Sequence, residues 1–288
     1  MKKTALIIGI VSVGLAFFCF CFVNSTYLLR ATSCNVNINR EQRIAHSYHK
    51  VTVVTGFWKV NGKHSMKHYL EWFKNTLTIN SSMIFFYSDE NFRCLVSKLR
   101  HELPTHFIRL SLSDFEGTKY LMKNWTHPEH VPSTSLGLIW IEKVVLIDKA
   151  RRLNIYDTDW FAWIDAGNAY YRYQKIPSMV WPSITNIDIL PLDKIIYTDI
   201  DNWRGFGGTA FLYHRNITSF VKLEFWKHLQ VCKSTFNDWR CLSDQIIFSL
   251  MRSQFPDLFL SIGQGYGSVV PILFNSTAVI KQNYITIV

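Results

Sequence analysis

Three acidic segments carry the residue types that could do chemistry in this chain. Asp157 and Asp159 spell a literal D-x-D motif, Asp199 and Asp201 spell a second one, and Asp165 stands alone. Carboxylates in such positions hold divalent cations such as Mg²⁺, or take a proton from a reacting hydroxyl. The elements around each segment decide which carboxylate can face a ligand.

The first segment and Asp165 flank one apolar run, residues 160–164, which has the composition of a buried strand. Ligands of open α/β sheets bind outside the carboxyl ends of the strands. Asp157 and Asp159 precede the run and are separated from Asp165 by about 20 Å of extended chain, so they point away from that edge. Asp165 follows the run directly and is the first candidate, although such a residue can also be only a turn carboxylate.

The second D-x-D motif also follows an apolar run, residues 194–198. Asp199 and Asp201 would therefore reach the same edge of a sheet as Asp165. They are the second candidate for the acidic site.

Strand-type and helix-type patterns alternate from residue 50 onward. Short β-branched and aromatic runs separate segments in which apolar residues recur at helical spacing. This alternation predicts one α/β domain over residues 50–288, a Rossmann-like, mostly parallel sheet with helices on both faces. The predicted strands are 50–56, 83–87, 106–110, 160–164, 194–198 and 209–213, and the predicted helices are 64–79, 89–100, 135–153, 218–231 and 243–253.

Other residues are predicted near the same edge. Lys143 shares a helical face with Ile139 and Ile147, so it points inward, or else extends its ammonium from the edge of the core to solvent. Asp244 opens a helix, where it either takes a proton in a cleft or serves only in capping. Gly207 and Gly208 allow a close approach of backbone to a ligand, although a hairpin turn uses the same residues.

Positive charge predominates, with 31 Lys and Arg against 21 Asp and Glu and a formal charge of +10. This excess favours anionic partners such as a sugar nucleotide, an acidic glycan or a membrane surface, or it only keeps the protein soluble. No basic run alternates with aromatic residues, so no nucleic-acid partner is expected.

The N-terminal residues predict a membrane anchor. Lys2 and Lys3 precede the uncharged apolar run 4–23, which is long enough to span a bilayer with the N-terminus in the cytoplasm. A cleaved signal peptide is the alternative, but no small-residue exit site follows the run. The expected order, that of a single-pass type II protein of the Golgi or ER, is a tail 1–3, a span 4–23, a stem 24–49 and a luminal domain 50–288.

A luminal domain would place four cysteines in an oxidising compartment, where two disulfides can form. Cys232 and Cys241 are the preferred pair because the loop between them is short, and buried thiols are the alternative. N-x-S/T sequons, which mark acceptors of N-linked glycans, begin at Asn24, Asn80, Asn124, Asn216 and Asn275.

Several short motifs occur in a telling order: Trp140 with Lys143, then Ala150, then the segment 163–167, after the runs 51–57 and 83–87. This order resembles the HtrL/YibB-like family over about residues 50–260. The family is glycosyltransferase-like and has the GT-A type of fold. The resemblance implies an enzyme that moves a sugar from a nucleotide-sugar donor to a glycan or glycoprotein hydroxyl.

The resemblance also implies roles for the candidate residues. Asp165 would hold Mg²⁺ or Mn²⁺ and thereby the donor diphosphate, assisted by Lys143. Asp244 would act as the base or, with Gln245, would position the donor. The residues expected to line the nucleotide and sugar pockets are Thr55, Gly207 and Gly208.

The chain departs from the usual GT-A pattern at its metal motif. Ala166 and Gly167 follow Asp165 where a second Asp is usual, and no His follows His228. The alternative is a catalytically inactive relative that binds glycans or partner proteins, and a filled or apolar cleft at Asp165 would favour it. A secreted hydrolase would instead need two carboxyl groups about 5–10 Å apart across a groove.

Overall fold

The computed structural model describes residues 49–122, 125–200 and 205–274, and the backbone of 279–281 and 284–286. The predicted tail, the span 4–23 and nearly all of the stem lie outside these residues. Among the described helices, none is both long and apolar enough to cross a bilayer.

Strands and helices alternate as the sequence predicts. The strands are β1 Val51–Phe57, β2 Ser82–Tyr87, β3 Thr105–Arg109, β4 Trp160–Ile164, β5 Ile195–Ile200, β6 Gly205–Phe206, β7 Ala210–His214, β8 Phe259–Gln264, β9 Val279–Lys281 and β10 Tyr284–Thr286. The helices are α1 Met66–Thr76, α2 Glu90–Leu99, α3 Thr134–Leu153, α4 Ile184–Ile187, α5 Thr218–Thr235, α6 Asp244–Gln254 and α7 Val269–Phe274.

The central sheet has the order β3-β2-β1-β4-β7-β5 and is mixed. The first four strands are parallel, whereas β7 is antiparallel to β4 on one side and to β5 on the other. β8 pairs with β5 in a parallel arrangement. β6 pairs with the carboxyl-terminal end of β5 in an antiparallel arrangement. The α/β prediction is confirmed, and the inserted β7 brings its amino end to the edge where β4 ends.

Helices cover both faces of the sheet. Along β4, Phe161 and Trp163 pack into one buried cluster, and Ala162 and Ile164 pack into another. This alternation follows from the period of two residues in a strand. Side chains of α3, α5 and α6 belong to the first cluster, and those of α1, α2 and α7 to the second.

A disulfide fixes the segment that leads into α6. Cys232, in α5, is bonded to Cys241, and their Cα atoms are 5.6 Å apart. The preferred pair is therefore confirmed, whereas Cys34 lies outside the described residues. Because Cys241 lies three residues before Asp244, the cross-link restrains the start of α6 relative to α5.

Candidate functional site

A cavity of about 680 Å³ opens at the carboxyl ends of β1 and β4. Its lining includes Gly56 from β1, Asp165 after β4, Gly208 before β7 and Asp244 at the start of α6. Cavities of this size accommodate small ligands. The cavity thus lies at the edge where ligands of open α/β sheets bind, outside the carboxyl ends of the strands.

Backbone and side-chain bonds both fix Asp165 at this edge. Its backbone N–H donates to the carbonyl of Thr209 at 2.8 Å, which extends the pairing of β4 with β7. The indole Nε1 of Trp163 donates to Asp165 Oδ1 at 2.6 Å. The side chain of Asp165 remains 24% exposed, so it can reach a ligand in the cavity.

Lys143 lies at the centre of the site, and its side chain is only 2% exposed. Its Nζ is 3.0 Å from Asp165 Oδ1 and 2.8 Å from Asp244 Oδ2, and it donates to the carbonyl of Gly208 at 2.8 Å. The ammonium is thus surrounded by one carbonyl oxygen and two carboxylate oxygens. Lys143 therefore points inward, as its helical face predicts, and does not extend to solvent.

Lys143, Asp165 and Asp244 form a charged triad, in which one cation lies between two carboxylates. Burial acts to lower the pKa of Lys143, but the charges of Asp165 and Asp244 outweigh it, and the net pKa is raised. Burial raises the pKa of Asp244, and the ion pair with Lys143 offsets this only in part. Lys143 is thus held protonated, while Asp244 carries a desolvation cost that one shared ammonium does not cancel.

Helix α6 presents Asp244 and Gln245 to the cavity from its first turn. Ser243 precedes them in extended conformation, as is usual for an N-cap, but its side chain makes no capping hydrogen bond. Asp244 Oδ1 accepts from the backbone N–H of Gln245 at 3.0 Å, and its side chain is only 5% exposed. Asp244 is therefore less accessible to a ligand than Asp165.

The other predicted lining residues divide into two groups. Gly208 lines the cavity, whereas Gly207 lies against β5, where its N–H donates to the carbonyl of Thr198 at 2.9 Å. Thr55 is fully buried within β1 and lies outside the cavity lining, to which the next residue, Gly56, belongs.

Gly208→Ala is expected to impair the site, because an added Cβ would lie 2.6 Å from Asp244 Oδ2 and 3.0 Å from Gln245 Cγ. We expect ligand affinity or turnover to fall at least about tenfold, since small misplacements of catalytic groups carry large costs. Gly167→Ala is the matched control in the same cavity, because its nearest neighbour would lie at an ordinary 3.4 Å. Equal activity of the two variants in a transfer assay would contradict the close packing of Gly208 on α6.

Asp199 of the second D-x-D motif and the rejected first motif lie elsewhere. Asp199 lies outside the cavity lining and pairs with Arg252 at 3.1 Å. Asp201 lies outside the described residues. Asp159 pairs with Arg215 at 3.1 Å before β4 begins, so it lies away from the carboxyl edge, as predicted.

A basic and aromatic wall of the cavity has no counterpart among the residues predicted from sequence. Lys63 and His64 come from the segment after β1, and Arg172 from the turn after β4. Trp140, from α3, also lines the cavity. The strand-end rule, applied to β1 as it is to β4, would have indicated these residues.

The residues at this edge do not fit the expected Mg²⁺ or Mn²⁺ site. Across the described ranges, no three His, Cys, Asp or Glu side chains are grouped closely enough to share a metal ion. Oδ1 of Asp165, the only predicted metal ligand, already faces Lys143 and Trp163, and the ammonium lies between Asp165 and Asp244. Lys143 thus already supplies positive charge beside the carboxylate that was expected to hold the metal.

Comparisons with known proteins find similarity in structure only. No family model and no curated protein sequence matches the chain, so the resemblance to the HtrL/YibB-like family stays a prediction. Mouse xyloside xylosyltransferase 1 aligns with a TM-score of 0.47 and 12% identity, over 74% of this chain and 84% of that one.

Two further structures align over similar lengths of this chain. The glycosyltransferase GlyE of Streptococcus pneumoniae TIGR4 gives a TM-score of 0.41 and 14% identity, over 74% of this chain and 45% of that one. The PaToxG glycosyltransferase gives a TM-score of 0.33 and 11% identity, over 72% and 69%.

Proposed function

We propose that this chain is a glycosyltransferase that moves a sugar from a nucleotide-sugar donor to a hydroxyl of a glycan or glycoprotein. The observation that carries the proposal is the position of Asp165. It is held in a cavity of about 680 Å³ at the carboxyl edge of the sheet, beside a buried ion-paired network.

The chemistry of transfer sets two requirements. The bond from the anomeric carbon to the donor's diphosphate oxygen breaks, and a bond to the acceptor oxygen forms. The acceptor hydroxyl loses its proton to a carboxylate, either directly or by way of an oxygen of the departing diphosphate. The diphosphate itself needs nearby positive charge as it leaves. Carboxylates and cations both line this cavity.

Of the two carboxylates, Asp165 is the better candidate for direct contact with substrate, because it is partly exposed whereas Asp244 is nearly covered. Lys143 and Asp244 then serve as positioning residues. The ammonium joins Asp165 to the start of α6 and to the carbonyl of Gly208, and so fixes the spacing of the two sides of the cavity.

The alternatives are less well supported by this arrangement. A binding-only relative is favoured by a filled or apolar cleft. This cavity is open and apolar surface predominates in its lining, but it also carries Asp165 and Asp244. A hydrolase with opposed carboxyl groups needs substrate between them, but here Lys143 lies between them.

Donor binding tests the proposal. We expect one nucleotide sugar of a panel to raise the unfolding temperature of the purified full-length chain, because a ligand that binds only the folded state stabilises it. The nucleoside alone, the free sugar and inorganic sulfate serve as controls. A folded protein that neither binds nor turns over any donor of the panel would overturn the proposed function.

A further inference from the structure

Two cationic side chains and a histidine line the cavity besides Lys143, Asp165 and Asp244. Lys63 and His64 lie on the segment between β1 and α1, and Arg172 lies in the turn after β4. Asp165, Asp244 and Lys143 line the same cavity. The cavity thus holds positive charge in addition to that of Lys143.

Aromatic rings hold these cations in place. The guanidinium carbon of Arg172 lies 4.2 Å from the ring centre of Trp72, and Lys63 Nζ lies 5.2 Å from that of Trp140. The His64 ring packs edge-to-face on Trp72 at 4.8 Å. Contacts of this kind fix the position of a cation but leave its N–H donors available.

The same cations lack carboxylate partners. In the part of the chain that the structure describes, Lys63, His64 and Arg172 form no ion pair. Arg172 Nε is shielded from solvent and has no hydrogen-bond partner among those residues. A shielded guanidinium donor without an acceptor is costly unless a ligand supplies one.

The pKa of His64 reflects lost hydration and electrostatic repulsion by the neighbouring basic side chains. Lost hydration lowers its pKa, and the positive charges of Arg172, His68 and Lys63 lower it further. An anion bound among these groups would relieve the repulsion.

Lys143 is a poor source of this positive charge, since its ammonium is buried between the carboxylates of Asp165 and Asp244, and the three groups together are negative. We propose that Lys63, His64 and Arg172 bind the diphosphate of the donor directly, in place of a divalent cation. The inference rests on the proposed function for the identity of the anion. Guanidinium and ammonium groups are well suited to phosphate oxygens.

Calorimetric titration of the full-length chain in EDTA tests the proposal, with inorganic pyrophosphate, UDP and GDP as probes. Wild type is expected to bind pyrophosphate without added metal. Arg172→Ala is expected to weaken binding at least about tenfold, as the loss of a charged hydrogen-bonding group does. Arg172→Lys, which keeps the charge but loses the fork, should be intermediate.

Arg215→Ala is the matched control, because it removes a guanidinium paired with Asp159 at the opposite edge of the sheet. Lys63→Met gives a second test if Arg172→Ala does not fold. Unchanged pyrophosphate affinity in the folded cavity variants, or binding that requires Mn²⁺, would overturn the inference.

The outcomes of these titrations also distinguish a failure of this inference from a failure of the proposed function. Pyrophosphate binding that depends on Arg172, without binding of any nucleotide sugar, would uphold the anion site and overturn the transferase. Preference for a sulfated disaccharide over pyrophosphate would assign Lys63, His64 and Arg172 to the binding of an acidic acceptor. That result would overturn the diphosphate assignment.

Discussion

Asp165→Asn is expected to lower the turnover of sugar transfer by about 10²–10⁴-fold, the range that positioned acid–base groups contribute. Asparagine keeps a carbonyl oxygen that can accept from Trp163 and Lys143, so the fold should persist. The negative charge that would contact substrate is lost. Turnover is measured as nucleotide release with the donor that the panel identifies, and folding is monitored by thermal denaturation.

Asp199→Asn is a close control for this substitution. Asp199 is also 24% exposed and is also paired with a cation, Arg252 at 3.1 Å, but it lies outside the cavity lining. We expect its transfer rate to match that of wild type. Full activity of a well-folded Asp165→Asn protein, or loss of activity in Asp199→Asn alone, would move the site to the second D-x-D motif.

Lys143→Met is expected to destabilise the fold by about 3–5 kcal/mol, because removing one partner of a buried ion pair leaves an uncompensated charge. Methionine is similar in volume, so the loss reports charge more than packing. The carboxylate of Asp244 would lose its main stabilising partner, and its raised pKa would rise further. The free energy of unfolding is measured by urea denaturation.

The pH dependence of this loss has a definite sign. A carboxyl group whose folded pKa exceeds its unfolded value binds more protons in the folded state, so stability falls as pH rises between the two values. The deficit of Lys143→Met should therefore shrink as the pH is lowered toward the unfolded pKa of Asp244. A deficit that is the same at every pH would mean that Lys143 stabilises the fold by packing only.

Two further variants isolate the ion pair. Lys149→Met removes a less buried lysine of the same helix and should change stability by less than about 0.5 kcal/mol. Asp244→Asn added to Lys143→Met should recover part of the loss, because it removes the unpaired charge. An additive double variant would exclude direct coupling between Lys143 and Asp244.

Local pattern predicted that Asp165 follows a strand, and it left two directions open for Lys143, inward or toward solvent. An apolar run of five residues ends one residue before Asp165, and helical spacing places Lys143 with Ile139 and Ile147. Thr55 shows the limit of the same argument. The predicted strand ends one residue too early, and in β1 it is Gly56 that lines the cavity.

Long-range geometry accounts for what the sequence did not reveal. That Lys143 joins Asp165 and Asp244 depends on α3 and α6 meeting across Gly208, which no local pattern encodes. Lys63 lies in an irregular segment and Arg172 in a three-residue 3-10 helix, both too short or irregular for periodicity to indicate the direction of a side chain. The direction of β7 was also hidden, because a strand reads the same in parallel and antiparallel pairing.

The insertion of β7 has a kinetic consequence for the protein's formation. β4 pairs with β1, which is about 100 residues earlier, and with β7, which comes about 50 residues later. Pairings across such separations close slowly because chain entropy must be lost before they form. During synthesis, β4 would present an unpaired apolar edge until β7 emerges, so early folding intermediates are exposed to misassociation at the edge that later carries Asp165.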